Sequence, residues 1–209
     1  TNIKQIAEDM MNKYILECEQ IIANNSDIKE RLHSEYGAEL DKITVIPPPI
    51  DSSYSPMAKT TKFLSEDELD DTFVIGNVGR ISVLKNQLFM CQVLELLIDK
   101  PNIQLYLFGK EQDTYVREYI ESRNLTNIHI MGEVNDTYKL YSSFDLFIFP
   151  SNVGEAAGIA YYEALANGLK CFISPNVPNI NINNKDNINV IQLNSILWAR
   201  YILDNLNID

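Results

Sequence analysis

Two glutamates eight positions apart, Glu155 and Glu163, bracket the small residues Ala156, Ala157 and Gly158 within the stretch Pro150 to Gly168. The stretch follows a strongly apolar run and reads as a loop that passes into a helix near Ala156. A helix of eight residues rises about 12 Å, beyond the roughly 5–9.5 Å that separates the carboxylates of a glycosidase. The two acids therefore make a poor hydrolytic dyad and are better spaced to hold two ends of one elongated ligand. Small side chains between them let a ligand reach the backbone. The first amides of a helix lack internal partners and sit at the positive end of its dipole, where a diphosphate is stabilised.

A second set of charges lies in Val78 to Leu88, where Gly79 precedes Arg80 and Lys85. Two fixed cations in one loop could stabilise negative charge on an anionic ligand without a metal. A lysine near a helix start also works against the dipole, which favours a functional over a structural reading. Lys110 after Gly109 could add a cation, and Gly132 to Asn135 forms a similar turn. His33 and His129 read as structural. No His/Cys/Asp cluster suggests a metal site.

These residues need elements to position them. The 209 residues are 45% hydrophobic and 22% charged, an ordinary globular balance. The periodicity predicts helices over 3–18 and from the Asn25–Asp27 caps to Tyr36, with a stop at Gly37. Short strands are expected at 21–23 and 43–46, the second ended by Pro47. Residues 51–72, rich in Pro, Ser, Thr and charge, read as a linker with one short helix at 65–69. From Phe73 onward, strands are expected at 73–78, 103–108, 127–131, 145–149, 170–174 and 188–192. Helices are expected at 86–99, 112–122, 136–143, 156–167 and 195–205. Continuous apolar strands alternating with helices predict a doubly wound α/β domain with a parallel sheet. In such a sheet ligands bind beyond the carboxyl ends of the strands, where the charged loops fall.

The net charge of −12, about half of whose acids lie in the first third of the chain, argues against a nucleic-acid partner. An anion would bind only where a few cations and amides converge. Cys18, Cys91 and Cys171 match no zinc or disulfide spacing and read as reduced, two of them core residues. The chain begins at Thr1 and shows neither a signal peptide nor an apolar run near 18 residues. These features point to a cytoplasmic fragment, with a peripheral membrane position left open.

The segment from Glu155 to Glu163 resembles the Glu-x7-Glu element of retaining GT-B glycosyltransferases of family four, and Gly79-Arg80 followed by Lys85-Asn86 resembles that family's cation loop. Lys42 to Asp51 resembles the end of the family's first domain, with Pro48-Pro49 in place of the usual Asn-Gly. The resemblance implies a Rossmann-like, carboxyl-terminal GT-B domain at 73–209, preceded by a short α/β remnant of the acceptor domain at 1–50. It implies that Glu155 meets the donor sugar, Gly158 and Ile159 the phosphates with Ala157 beside them, and Glu163 the ribose. Arg80 and Lys85 hold the diphosphate at Gly79, and Lys110 and Val134 line the base. The implied donor is a nucleoside-diphosphate sugar used without a metal or other cofactor, and the implied reaction is transfer with retention to an unidentified acceptor. Lys170 stands where the family often has Pro, Asn176 to Asn183 replaces a glycine-rich acidic stretch, and most of the first domain is missing. These departures leave a second expectation: a non-catalytic sugar-nucleotide-binding module, or a half-enzyme that needs a partner chain. A sugar-nucleotide epimerase ranks lower because its histidine and acid pattern is missing.

Overall fold

The computed structural model describes residues 3–56, 71–152, 158–177 and 185–206, and these fall into two compact units that divide near residue 49. The smaller unit holds helices α1 (Ile3–Glu17) and α2 (Ser26–Tyr36) and a two-stranded parallel sheet of β1 (Ile21–Ala23) and β2 (Ile43–Val45). Asn25 caps α2 by accepting from Ile28 N–H at 2.8 Å, and Gly37 ends it with φ +71. A Cβ at that φ would strain the backbone, so the stop predicted at Gly37 is a glycine stop in fact. Ala23, Ala38 and Ile43 form the unit's small core. His33 Nδ1 lies 2.9 Å from the Ala38 carbonyl, a structural role as expected.

The larger unit is built on six parallel strands. They are β3 (Phe73–Val78), β4 (Ile103–Phe108), β5 (Ile128–Gly132), β6 (Leu146–Phe149), β7 (Lys170–Ile173) and β8 (Ile188–Val190), in the spatial order β5-β4-β3-β6-β7-β8. Helices α3 (Gln87–Glu95), α4 (Tyr115–Ser122), α5 (Thr137–Tyr141), α6 (Ile159–Ala166) and α7 (Ser195–Asn205) alternate with them. One core joins Met90, Leu94, Val116 and Trp198 to Ile75, Leu105 and Ile148. The other joins Tyr141, Tyr161 and Leu165 to Val74, Phe147 and Ile173. Alternate residues of one strand thus feed opposite cores, as a sheet buried on both faces requires. The doubly wound α/β class predicted from the alternation is the observed fold.

Several boundaries are tighter than periodicity suggested. The helix expected over 86–99 ends at Glu95 and continues as turns. Buried Asn127 Nδ2 donates to the Leu94 carbonyl at 2.9 Å and so diverts the helix end. The helix expected from Ala156 begins at Ile159, because Gly158 adopts φ +62 as its N-cap. The short helix expected at 65–69 lies outside the described residues. Residues 51–56, read in the sequence as the start of the linker, group with the larger unit.

Gly76, in the middle of β3, packs directly against the segment that leads from α5 into β6. A Cβ there would fall 2.3 Å from Phe144 Cδ2, on a ring that is only 4% exposed and already packed edge-on against Tyr141 and tilted against Phe108. Overpacking of a filled core costs about 1–3 kcal/mol. Gly76→Ala is therefore expected to lower the melting temperature by several degrees. An unchanged melt would show that Phe144 has room to move.

Candidate functional site

The loops that leave the carboxyl ends of β3, β4 and β5 are joined backbone to backbone. Gly79 N–H donates to Phe108 O at 2.8 Å, Gly109 N–H to Gly132 O at 2.7 Å, and Ile81 N–H to Lys110 O at 2.9 Å. The contact between the first two loops leaves no space for a side chain, since a Cβ at Gly109 would fall 2.1 Å from Gly79 O. These loops enclose a pocket of about 180 Å³ lined by Gly79, Arg80, Gly109, Lys110, Glu133 and Val134 among others. Gly79, Arg80, Lys110 and Val134, named separately in the sequence, are thus brought together.

The Arg80 loop is held from below by buried amides. Gln87, with no exposed surface, donates from Nε2 to Arg80 O at 3.0 Å and to Asn77 Oδ1 at 3.3 Å, and its Oε1 accepts from Ser82 N–H at 3.1 Å. Asn77, 1% exposed within β3, donates on to Ile148 O of β6 at 2.9 Å. Two side chains thereby tie the turn between Arg80 and Ser82 to the adjacent central strands. Arg80 itself is exposed.

Lys85 sits farther along the same loop, half-buried, with Nζ 4.7 Å from the centre of the Phe149 ring. Its Cε lies 3.8 Å from where a Gly79 Cβ would be, so its stem reaches toward the pocket rim. A cation over an aromatic face is favourable by roughly 0.5–1 kcal/mol at partly exposed sites. The Phe149 ring also lies 5.9 Å from Tyr161 and within 3.4 Å of a Cβ built on Gly158, so Lys85, Phe149 and the start of α6 form one row. Three hydrogen bonds lock the Lys85 loop to the chain after β6. Asn152 N–H donates to Leu84 O at 2.8 Å, Asn152 Nδ2 to Val83 O at 2.9 Å, and Asn86 Nδ2 to Pro150 O at 3.1 Å. Asn86 does this from a left-handed conformation, φ +58, that Asn tolerates better than most residues.

Glu163 projects from the second turn of α6 and is half-buried. Its Oε2 accepts from Tyr141 Oη at 2.7 Å. Tyr54 packs edge-on against Tyr141 at 5.8 Å, and its hydroxyl lies 2.7 Å from Thr137 Oγ1, which also lines the pocket. Burial foremost pushes the Tyr141 phenol well above its ordinary pKa, and the Glu163 charge adds to it. Burial likewise raises the Tyr54 phenol, with the Thr137 hydrogen bond opposing and Glu163 adding.

Gly158, as the N-cap, and Ile159, 45% exposed, open α6. Glu155 and Ala157 lie outside the described residues. The spacing expected between the two glutamates runs through residues outside the described ones; helix is observed from Ile159 onward. The sequence does not single out Asn77, Gln87, Asn152, Tyr141 or Tyr54, and Asn86 enters there only as part of the cation-loop motif. His129 stacks on Tyr106 at 4.6 Å and bonds Gln104, and burial lowers its pKa, so it packs as expected. Cys91 and Cys171 are buried core residues and Cys18 is exposed; burial pushes the Cys91 thiol up to about 12. Among the described residues, no three His, Cys, Asp or Glu cluster as metal ligands, and no helix is long and apolar enough to cross a membrane.

Comparison with known proteins identifies the fold and the family. The chain is 26% identical over 171 residues to the capsular polysaccharide biosynthesis glycosyltransferase CapM of Staphylococcus aureus, covering 75% of this chain and 44% of that protein. It is 28% identical over 159 residues to a D-inositol 3-phosphate glycosyltransferase of Paenarthrobacter aurescens, covering 71% of this chain and 39% of that one. Among solved structures, Anabaena Alr3699/HepE in complex with UDP and glucose superposes with a TM-score of 0.77 at 17% identity, covering 97% of this chain and 56% of that chain. The lipopolysaccharide glycosyltransferase WaaG superposes with a TM-score of 0.76 at 17% identity, over 90% of this chain and 53% of that chain. At these identities the superpositions establish a shared fold. The chain spans about half the length of these proteins or less. Residues 59–205 match the family model for glycosyl transferases group 1, and the chain belongs to that family.

Proposed function

We propose that this chain supplies the donor site of a glycosyl transfer from a nucleoside-diphosphate sugar, with retention at the anomeric carbon. The observation that carries the reading is the convergence of Gly79, Arg80 and Lys110 on one pocket at the carboxyl ends of β3, β4 and β5, whose β3 side borders the gap toward β6. That gap is where the winding of the sheet reverses, the place where doubly wound folds bind nucleotides. On this reading Lys110 and Val134 flank the base, and Glu163 accepts from the ribose hydroxyls. Arg80 and Lys85 neutralise the diphosphate. The amides that open α6 behind Gly158 add to that field. Glu155 is assigned to the donor sugar on the family resemblance, with Ala157 beside the phosphates.

Chemically, the leaving nucleoside diphosphate gains negative charge as the bond to the sugar breaks, and cations already in place stabilise that charge without reorganising. Two amine or guanidinium groups supply this without a metal or cofactor. The HepE structures contain UDP, and one of them UDP-glucose, which supports a sugar nucleotide as the ligand class here. The acceptor would enter from the other half of a cleft, either in a longer chain or in a partner. Three free cysteines suit the reducing cytoplasm, where we place the reaction, with a membrane-surface acceptor as an option.

One observation favours a second reading. The chain spans about half of its relatives, so by itself it would act as a binding module or half-enzyme. Incubation with sugar nucleotides, with and without candidate acceptors, separates the two. Nucleotide release marks an enzyme, whereas binding without release marks the module.

A thermal-shift panel of UDP-, GDP- and ADP-sugars tests the common core, because a ligand selective for the native state raises its melting temperature. No shift with any of them would overturn donor binding. Glu163→Ala should weaken the best ligand by about 1.5–3 kcal/mol, the worth of a hydrogen bond to a charged group. Unchanged affinity by calorimetry would remove Glu163 from the site. Arg80→Ala should cost affinity in a salt-dependent way, with the loss shrinking at high ionic strength.

The buried amides give a separate expectation. Gln87→Met keeps the volume but strands Arg80 O, Ser82 N–H and Asn77 Oδ1, at about 1–3 kcal/mol for each buried unsatisfied group. The variant should be less stable and should bind the nucleoside diphosphate more weakly, while binding of the free nucleoside should be unchanged. Equal weakening of both ligands would mean that Gln87 supports the whole sheet edge rather than the cation loop.

A further inference from the structure

The Glu163 carboxylate has a neighbour that donor binding does not explain. Tyr141 lies on α5 with no exposed surface, its ring wedged among Tyr54, Phe144 and Phe147 at 5.8, 5.9 and 5.6 Å. A ring packed on three sides fixes the position of its hydroxyl. That hydroxyl has one hydrogen and two acceptors within reach, Glu163 Oε2 at 2.7 Å and Ala160 O at 3.1 Å. The shorter, charge-assisted contact is the stronger one. Burial and the adjacent carboxylate raise the phenol's pKa well above its ordinary value, so Tyr141 stays a donor and does not become a competing anion.

We infer that Tyr141, backed by Tyr54, is a positioning residue that aims the Glu163 carboxylate at the donor ribose. The inference rests on the reading that Glu163 meets the ribose. A glutamate side chain has three rotatable bonds and loses rotamer freedom when a ligand fixes it. Tyr141 bears that loss before the ligand arrives, so less of the ribose contact is spent on ordering. Glu163 remains half-buried and therefore within reach of a ligand. Tyr54 extends the arrangement to the pocket. It braces the Tyr141 ring and meets Thr137 Oγ1 at 2.7 Å, and Thr137 lines the pocket with Val134 and Lys110. The short segment before the family-matched region, 51–56, thereby contributes a side chain to the donor site.

The test compares UDP, GDP and ADP with their 2′,3′-dideoxy counterparts by calorimetry, and the tightest pair carries the comparison. The wild-type protein should prefer the ribose form by about tenfold or more, as a hydrogen bond to a charged group implies. Tyr141→Phe removes one hydroxyl and should weaken the ribose form about three- to tenfold while leaving the dideoxy form unchanged. Tyr54→Phe should show the same selective loss to a smaller degree, and it carries the test if Tyr141→Phe does not fold. Equal weakening of both forms would make the tyrosines merely structural, and no weakening of either would also overturn the inference. If the wild type binds the two forms equally, it is the ribose assignment of Glu163 that fails, and the positioning role falls with it.

Discussion

The winding of one parallel sheet sets the geometry of this molecule. All six strands run the same way, so every loop that can touch a ligand leaves from the same edge. The chain winds outward from β3 to β5 on one side, then returns to lay β6 against the other side of β3. The crossovers of the two halves run on opposite faces, and their loops part where β3 meets β6. The cation loop after β3 borders that gap and is not left to find its own conformation. Asn86 and Asn152 bind it to the chain that leaves β6, and Gly109 lets the neighbouring loop press directly onto Gly79.

Holding a loop with buried amides has an energetic consequence. Asn77 and Gln87 are desolvated polar groups, unfavourable unless their hydrogen bonds are made. Here the bonds are made to the Arg80 and Ile148 carbonyls, the Ser82 amide and one another. An apolar pair in the same place would pack as well but would leave the Arg80–Ser82 turn with no preferred partner. The network exchanges some latitude in core packing for one defined loop geometry. That exchange is understandable where a guanidinium has to stand ready at a fixed point.

The fold was legible because its signals are periodic and strong. Continuous apolar strands separated by helices leave few alternatives, and the caps at Asn25 and Gly37 were readable residue by residue. The start of α6 was not, because small residues at 156–158 are compatible with helix and only the left-handed φ of Gly158 excludes it. Arg80, Lys85 and Glu163 were legible as charges beside glycine turns. The residues that hold them were harder. Asn77 and Gln87 left a trace, since each interrupts an apolar run on a face the core should own, and a buried amide is the ordinary explanation. Tyr141 left none. A tyrosine in a five-residue helix is unremarked until the chain brings Glu163, 22 residues later, to its hydroxyl.

The protein's charge sharpens why such positioning matters. With a net charge of −12 the chain repels a doubly charged phosphate ester at long range. Salt screens that repulsion beyond about 8 Å, so an anion is decided by the nearest groups alone. Among the described residues those are few: Arg80, Lys110 and the acid Glu133 at the pocket, Lys85 over Phe149, and Glu163, which reaches the pocket through Tyr141, Tyr54 and Thr137. A misplaced cation here is not replaced by a general basic surface, and a carboxylate turned toward the phosphates rather than the ribose would cancel much of what the cations contribute. Tyr141 keeps Glu163 on one side of that division, and Gln87 keeps the Arg80 turn on the other. On the proposed reading, an acidic protein holds an anionic donor best when both arrangements are set before the ligand arrives.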